Sequence, residues 1–186
     1  MNTYPKLFSP IKIGETTVKN RVFMPPISTN LADKGYVTDA LVEHYAARAK
    51  GGVGLIVTEV TTVEPTYVYL PGDMSICDDS YIPGWEKLIA PSFVGPYYAK
   101  EAPRPVTVEE LQVIIRQFGE AALRVKKAGA DGVEIHAAHA HGLLGGFLSP
   151  LYNKRTDAYG GDINGRLKLT LEVIAEVRKI CGKDFI

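Results

Sequence analysis

The alternation of apolar runs with helix-forming stretches is the feature of this sequence that most constrains its fold. Residues 53–60 form a near-continuous apolar run, of the kind that a parallel sheet buries on both faces, and 131–136 form a second, shorter one. Helices are predicted over 40–50, 107–128 and 165–180. Strands that alternate with helices indicate parallel βα units and therefore an α/β fold.

Shorter strands are predicted towards both ends of the chain. Residues 11–18 predict a hairpin with its turn at Gly14-Glu15. Residues 21–24 predict a short strand that Pro25 stops, and 184–186 have the character of the first residues of one more strand.

Capping residues support the predicted helix boundaries. Thr38 can cap the first helix, which Gly51 ends, and Thr107 opens a capping box with Glu110 in the second, which Gly129 stops. Apolar residues at helical spacing predict a buried face for the first and third helices. These residues are Leu41, Tyr45 and Ala49 in the first, and Leu167, Leu171, Ile174 and Val177 in the third.

Composition argues against several classes of function. The 186 residues include 21 Lys or Arg and 21 Asp or Glu, so the net charge is zero and favours neither nucleic acid nor an anionic membrane as a partner. The two cysteines, Cys77 and Cys181, have no CxxC partner and are expected to be free, buried thiols. Neither a leader sequence nor an apolar run of membrane-spanning length is recognisable, which predicts a cytoplasmic protein.

One βα unit is missing from the pattern. A helix opens at Trp85 but Ala90-Pro91 stops it, and 91–105 contain four prolines and no predicted strand. We therefore interpret 1–186 as one partial domain in three parts. These are a hairpin with two βα units (1–89), a proline-rich loop after an apparent deletion (90–106), and a helix, the fourth strand, an active-site loop, a helix and the start of the fifth strand (107–186).

Three of the four histidines of the chain lie within six residues. His136 ends the second apolar run, and His139 and His141 follow on the next loop. In a parallel barrel the C-terminal ends of the strands face the active site, where two imidazoles can donate hydrogen bonds to one carbonyl or nitro oxygen and polarise it. The alternatives are a structural role and a zinc site completed by Glu59 or Glu134, since the fourth histidine lies on a separate helix.

Short motifs follow one another along almost the whole chain. In order they are FSPIKIG (8–14), KNRV (19–22), YAARA (45–49), GLIVTE (54–59), VEIHAAH (133–139), FLSP (147–150), NKRTD (153–157), YGG (159–161) and NGR (164–166). In order and approximate spacing they resemble the NADH:flavin oxidoreductase, or Old Yellow Enzyme, family, especially its bacterial branch of 2-enoate and 2,4-dienoyl-CoA reductases. The resemblance implies an aldolase-type TIM (β/α)8 barrel with FMN at the C-terminal mouth. Here the barrel is expected to be incomplete, an N-terminal half whose third strand is missing near residues 89–90.

The resemblance also implies which residues form the site. The positions that match flavin-contacting residues of the family are Pro25, Pro26, Ile27, Ser28 and Val60. Ser28 falls where family members carry a Thr or Cys near flavin O4, a position that tunes the redox potential. His136 and His139 match the pair that holds the activating oxygen of the substrate, and His136 is also expected to touch the flavin.

The implied chemistry is a ping-pong reduction of an activated C=C bond. NAD(P)H would reduce FMN, and hydride would then pass to the β-carbon of a small-molecule enoate, enone or dienoyl-type alkene. The tyrosine acid that usually follows the second histidine in the family is absent, so His141 is the candidate proton donor. The remaining charged motif residues, Lys154, Arg155, Asp157 and Arg166, are expected to brace the loop.

A catalytically inactive fragment is the alternative function. A barrel with under half its strands would have two open edges and an exposed apolar interior, which favours pairing with another chain and is compatible with a homo-oligomer. We therefore weigh an FMN-dependent ene-reductase against an inactive truncated barrel, with a His-rich metal enzyme as a lesser alternative.

Overall fold

The computed structural model of the chain describes residues 4–64, 70–88, 105–139 and 142–186. Its strands are β1 (Ile11–Ile13), β2 (Thr16–Val18), β3 (Phe23–Met24), β4 (Leu55–Ile56), β5 (Thr61–Thr62) and β6 (Met74–Ser75). Its helices are α1 (Asp39–Lys50), α2 (Ile82–Leu88), α3 (Val108–Lys127), α4 (Leu143–Leu148) and α5 (Ile163–Cys181), with a 3-10 turn at Asp79–Tyr81. The apparent deletion near residues 89–90 lies outside the described residues.

Strands β1 and β2 form the predicted hairpin. They pair antiparallel with Ile11 opposite Val18 and Ile13 opposite Thr16. Gly14 adopts a φ of 55°, the left-handed conformation that the tight turn requires and that glycine reaches without a steric penalty.

Two parallel pairs follow the hairpin. Strand β3 pairs with β4, and the Val57 N–H extends the pairing by donating to the Met24 carbonyl oxygen at 3.0 Å. Strand β5 pairs in parallel with β6. The predicted burial of 53–60 is confirmed in its second half, where Ile56 to Glu59 are buried, although the ladder is shorter than the apolar run.

The prediction of a strand over 131–136 is wrong, since the structure assigns no ladder to these described residues. Two hydrogen bonds hold the segment: Val133 N–H donates to Ile186 O at 2.9 Å, and Ile186 N–H donates to Asp131 O at 3.1 Å. A ladder needs successive paired residues, and these two bonds involve Ile186 alone on the opposite side. They nevertheless place 184–186 beside this segment, as expected for the next parallel strand.

Side-chain caps define the helix starts. The Thr38 hydroxyl accepts from the Leu41 N–H at 3.2 Å, and Thr107 with Glu110 forms the complete capping box predicted for α3. Helix α5 begins two residues earlier than predicted, because the Asp162 carboxylate caps it by accepting from the Gly165 N–H at 3.0 Å.

The predicted buried face of α1 needs one correction. Leu41 and Tyr45 are fully buried, but Ala49 is exposed. Residues 47–50 are all exposed, which shows that the last turn of α1 extends past the core.

The predicted buried face of α5 is largely wrong. Leu171 and Ile174 are exposed, and the residues that the helix buries are Leu169, Thr170, Val173, Val177 and Cys181. Both sets recur at helical spacing, so the spacing alone could not choose between them. The choice is made by α3, which packs against α5 at Gly119, where a Cβ atom would meet the Ile180 Cδ1 at 2.7 Å and the Glu176 Cγ at 2.9 Å.

Two hydrophobic clusters make up the core. The first, which we call the sheet cluster, includes Leu41, Ile56, Met74, Trp85, Val125 and Val177. The second, the signature cluster, contains Leu111, Ile115, Leu144, Phe147, Tyr159, Leu169 and Val173. Helices α3 and α5 contribute to both clusters, and Ile135 packs against both, so the histidine segment begins where the clusters meet.

The cysteines are free thiols, but only one of them is buried as predicted. Cys181 lies in the sheet cluster, whereas Cys77 is partly exposed two residues before the 3-10 turn. Within the described ranges, no helix is long and apolar enough to cross a membrane.

Candidate active site

His136, the last residue of the extended segment 131–136, lies beside His139. Nε2 of His136 and Nδ1 of His139 are 3.2 Å apart, and the ring centroids are 5.1 Å apart. His136 is partly buried and His139 is exposed, so the pair is accessible from one side. The two facing nitrogens are close enough to contact one acceptor oxygen together.

The backbone after the extended segment 131–136 bends sharply to bring His139 back to His136. His139 has a φ of 58°, a left-handed conformation that non-glycine residues adopt rarely and mainly at functional or tightly turned positions. The Gly142 N–H donates to the His139 carbonyl oxygen at 2.9 Å and closes the turn.

Gly145 of α4 permits this bend, and sequence reasoning did not single it out. A Cβ at Gly145 would lie 2.6 Å from the Ala138 carbonyl oxygen and closer still to that of His139. Only a glycine lets α4 approach the histidine backbone this closely.

Two predictions involve His141, namely its role as proton donor and its part in the zinc alternative. His141 lies outside the described residues, so its predicted role as proton donor stays a prediction. Among the residues that the structure describes, no group of three or more His, Cys, Asp or Glu side chains is arranged to hold a metal ion.

Most of the predicted flavin-contacting residues, 25–28, directly follow β3, whereas Val60 lies four residues after β4 and directly before β5. Pro25 and Ile27 are exposed, whereas Pro26, Ser28 and Val60 are partly buried. Prolines carry no N–H, so only Ile27 and Ser28 can offer backbone donors in this loop. Neither of these two N–H groups bonds to another described residue.

Two carboxyl groups are buried directly behind this loop. Glu59, between β4 and β5, is fully buried, and its Oε2 accepts a hydrogen bond from the Thr29 N–H. Asp73 is also buried, and its Oδ2 accepts from the Leu70 N–H at 2.8 Å. The sequence signal for Glu59 was an acidic residue inside an apolar strand, whereas no local pattern marked Asp73.

Burial dominates the electrostatics of both carboxyl groups. It raises the pKa of Glu59, the hydrogen bonds from Thr29 lower it, and the nearby charge of Asp73 raises it again. Burial likewise raises the pKa of Asp73, opposed by the Leu70 N–H and by the neighbouring Ser28 side chain. Burial also raises the pKa of Tyr45, whose hydroxyl accepts from the Glu59 N–H at 2.8 Å.

The charged motif residues brace the loop that follows α4. Arg155 pairs with Asp157, with Nη2 and Oδ2 2.6 Å apart, and its Nη1 donates to the Val106 carbonyl oxygen at 2.6 Å. Arg166 Nε donates to the Leu148 carbonyl oxygen at 3.0 Å, and Lys154 donates to the Pro150 carbonyl oxygen at 2.8 Å. These contacts agree with the bracing role expected from the sequence.

Tyr159 anchors the same loop to both long helices. Its hydroxyl donates to Glu172 Oε2 at 2.8 Å and accepts from Gln112 Nε2 at 2.9 Å. Burial and the Glu172 carboxylate raise the pKa of Tyr159 to about 12, so this hydroxyl stays protonated at neutral pH. The contacts mark Tyr159 as structural.

The chain is similar in sequence to known oxidoreductases. It is 35% identical over 219 aligned residues to an NADH oxidase of Thermoanaerobacter brockii, covering 100% of this chain and 34% of that protein. It is 35% identical to a cinnamate reductase of Clostridium sporogenes, covering 98% of this chain and 33% of that protein. The chain thus spans about a third of the length of these relatives.

Among solved structures, the chain resembles an Old Yellow Enzyme from Pichia with a TM-score of 0.86 and 28% identity. The match covers 97% of this chain and 58% of that enzyme. The family-level match is equally extensive, covering residues 6–91 and 94–186. The chain therefore belongs to the NADH:flavin oxidoreductase / NADH oxidase family.

Proposed function

We propose that this chain carries the substrate-polarising and part of the flavin-binding machinery of an FMN-dependent oxidoreductase that uses NAD(P)H to reduce activated C=C bonds. The observation that carries the proposal is the pair of facing nitrogens of His136 and His139, 3.2 Å apart after the segment 131–136. The relatives named for NADH oxidation and for cinnamate reduction support the reductant and the alkene class.

The residues present fit a flavin beside the segment 25–28 that follows β3 and beside Val60. The N–H groups of Ile27 and Ser28, without partners among the described residues, suit the carbonyl and ring-nitrogen acceptors of the flavin. The exposed side chain of Ile27 and the partly buried Val60 offer apolar contacts to the ring. Bound FMN would supply the chemistry that no side chain here can supply, which is the transfer of a hydride from NAD(P)H to an alkene carbon.

The histidine pair would act on the activating oxygen of the substrate. The two facing nitrogens lie within hydrogen-bonding distance of each other, and which of them donates depends on the tautomers of the two rings. A carbonyl or nitro oxygen between the rings lets both facing nitrogens donate to it, which polarises the conjugated C=C bond and stabilises developing enolate charge. We assign the protonation of the α-carbon to His141, on the sequence argument alone.

A truncated, inactive barrel is the second candidate function. The alignment with the NADH oxidase spans 219 positions for a chain of 186 residues, so at least 33 positions of that relative have no counterpart here. The family match is interrupted at residues 92–93, close to the deletion inferred from the sequence. An incomplete barrel that lacks its third strand accounts for both observations.

The visible spectrum of the purified protein decides between the two candidates. We expect a yellow protein, or one that turns yellow with added FMN, whose flavin absorbance bleaches under NADH or NADPH without oxygen and returns when 2-cyclohexenone is added. A matched pair of variants tests the site: the double variant His136→Ala/His139→Ala should keep the bleaching and lose the re-oxidation by the enone, whereas Leu151→Ala, at an exposed position, should keep both.

A colourless protein that takes up no FMN would contradict the proposed function and support the inactive fragment. A yellow protein in which the double histidine variant re-oxidises with the enone as fast as the unaltered chain would contradict the role of the pair.

A further inference from the structure

We propose that Glu59 is a positioning residue for the flavin, because its buried carboxyl group holds the backbone of Thr29 and so sets where the donors Ile27 N–H and Ser28 N–H point. This inference rests on the proposed function, which puts the flavin beside that loop. The contact that carries it is the hydrogen bond from the Thr29 N–H to Glu59 Oε2.

The buried location of Glu59 lowers the stability of the fold unless its carboxyl group makes a compensating interaction. Glu59 is fully buried, and burying an ionisable group is unfavourable unless it is bonded. A leucine of similar size would fill the same buried position without this cost. What a leucine could not do is accept the Thr29 N–H, which lies one residue beyond Ser28.

The segment around Glu59 is itself anchored to the sheet cluster. The Glu59 N–H donates to the Tyr45 hydroxyl of α1 at 2.8 Å, and Tyr45 is buried in that cluster. Glu59 therefore links a rigid part of the core to a loop whose outer residues, Pro25 and Ile27, are exposed.

The far end of the loop is fixed separately. Asn30 Oδ1 accepts from the Gly72 N–H at 2.9 Å, and the Ala32 N–H donates to the Gly72 carbonyl oxygen at 3.0 Å. The loop thus has β3 at one end and the Gly72 contacts at the other, and in between the Thr29 N–H bonds to Glu59 while the Ser28 side chain bonds to Asp73. Loss of the Glu59 bond should free the Thr29 N–H and loosen the backbone next to Ser28, while the ends of the loop stay in place.

The test compares two replacements of Glu59 in the full chain. Glu59→Gln keeps a carbonyl acceptor for the Thr29 N–H and removes the charge, whereas Glu59→Leu keeps the volume and removes the acceptor. We expect Glu59→Leu to weaken FMN binding by on the order of tenfold or more, and Glu59→Gln to stay within about threefold of the unaltered chain. FMN affinity is read from quenching of flavin fluorescence on titration.

A control and a flavin-free measurement separate positioning from general stability. Tyr159→Phe alters a buried hydrogen bond away from the loop and should leave FMN affinity unchanged. In the flavin-free unaltered chain, hydrogen exchange of the Thr29 amide should be slow, and Glu59→Leu should make it fast, while the Gly72 amide stays slow in both.

Fast exchange of the Thr29 amide in the unaltered chain would overturn the inference, even if Glu59→Leu failed to fold. FMN affinity that is equal in the unaltered chain and Glu59→Leu, or lost equally in Glu59→Gln and Glu59→Leu, would also overturn it. If the unaltered chain binds no FMN while the Thr29 amide behaves as expected, the proposed function fails and the role of Glu59 in holding the loop stands.

Discussion

Single residues decide whether the histidine pair forms. His136 and His139 are three positions apart, and they face each other only because His139 takes a left-handed backbone conformation. The motif in the sequence contains both histidines, but the glycine that makes room for the bend, Gly145, lies six residues further along. The residue types of the site could therefore be predicted, and the residue on which their geometry depends could not.

Gly145→Ala should separate the two imidazoles. The added Cβ would overlap the backbone carbonyl groups of Ala138 and His139, and backbone cannot yield as a flexible side chain can. We expect the nuclear Overhauser effect between the rings of His136 and His139 to disappear and the free energy of unfolding to fall by about 1–3 kcal/mol. Leu151→Ala should preserve the ring-to-ring signal, and a G145A spectrum that retains it would contradict this role of the glycine.

The buried carboxyl groups predict how stability depends on pH. Burial raises the pKa of Glu59 and of Asp73, so the folded chain holds their protons to a higher pH than the unfolded chain does. Where the folded state binds more protons, stability falls as pH rises. This contribution is fully present below the ordinary carboxyl pKa of about 4 and is lost as pH rises through the raised values.

Glu59→Gln should therefore reduce the loss of stability that accompanies rising pH, because the amide does not ionise. The difference in unfolding free energy, E59Q minus the unaltered chain, should become more positive as pH rises from about 4 to 8. Urea unfolding followed by the fluorescence of Trp85, the single tryptophan, measures it. A difference that is constant across this range would show that Glu59 ionises alike in the folded and unfolded states. Glu15→Gln, at an exposed carboxylate, serves as the control.

At the scale of elements, local signals worked where the controlling contacts are local. The hairpin at Gly14, the capping box at Thr107 and the stop at Gly129 depend on residues at most seven apart, and all three are confirmed. The strand predicted at 131–136 needed distant partners, and the structure supplies backbone bonds to Ile186 alone. Likewise, the spacing of apolar residues in α5 fitted two faces, and contact with α3 selected the one not predicted.

Thr107→Ala tests the capping box of α3. The Thr107 hydroxyl accepts from the Glu110 N–H at 3.2 Å, and the Glu110 carboxylate accepts from the Thr107 N–H at 2.7 Å. Removal of the hydroxyl should lower the free energy of unfolding by about 1 kcal/mol, since one N–H of the first turn loses its partner. Thr107→Ser should retain most of this stability in the same urea titration. Equal stability of the alanine and serine variants would count against the cap.

At the scale of the whole molecule, α3 and α5 join the two hydrophobic clusters. Leu111 and Leu169 lie in the signature cluster, whereas Val125 and Val177, further along the same two helices, lie in the sheet cluster. Because the same pair of helices runs through both clusters, we expect them to unfold together.

Gly119→Leu should destabilise both clusters at once. Even a Cβ at this position would crowd the side chains of Glu176 and Ile180, so a leucine would push the helices apart at a cost of about 1–3 kcal/mol. Trp85 fluorescence during urea unfolding reports the stability of the sheet cluster, and hydrogen exchange of the Leu169 and Val173 amides reports that of the signature cluster. Both stabilities should fall together. Val113→Leu, at an exposed position of α3, should shift neither. A loss confined to one cluster would mean that the two unfold independently.

The sequence by itself determined the N-terminal hairpin, the caps of α1 and α3, the family and the residue types of the candidate site. These follow from caps, turns and motifs, whose physics is confined to a few neighbouring residues. The tertiary structure alone decided the opposition of His136 and His139, the buried face of α5, and the bond between Glu59 and Thr29. Each of these depends on segments that only the fold brings together, and so neither spacing nor composition could specify them.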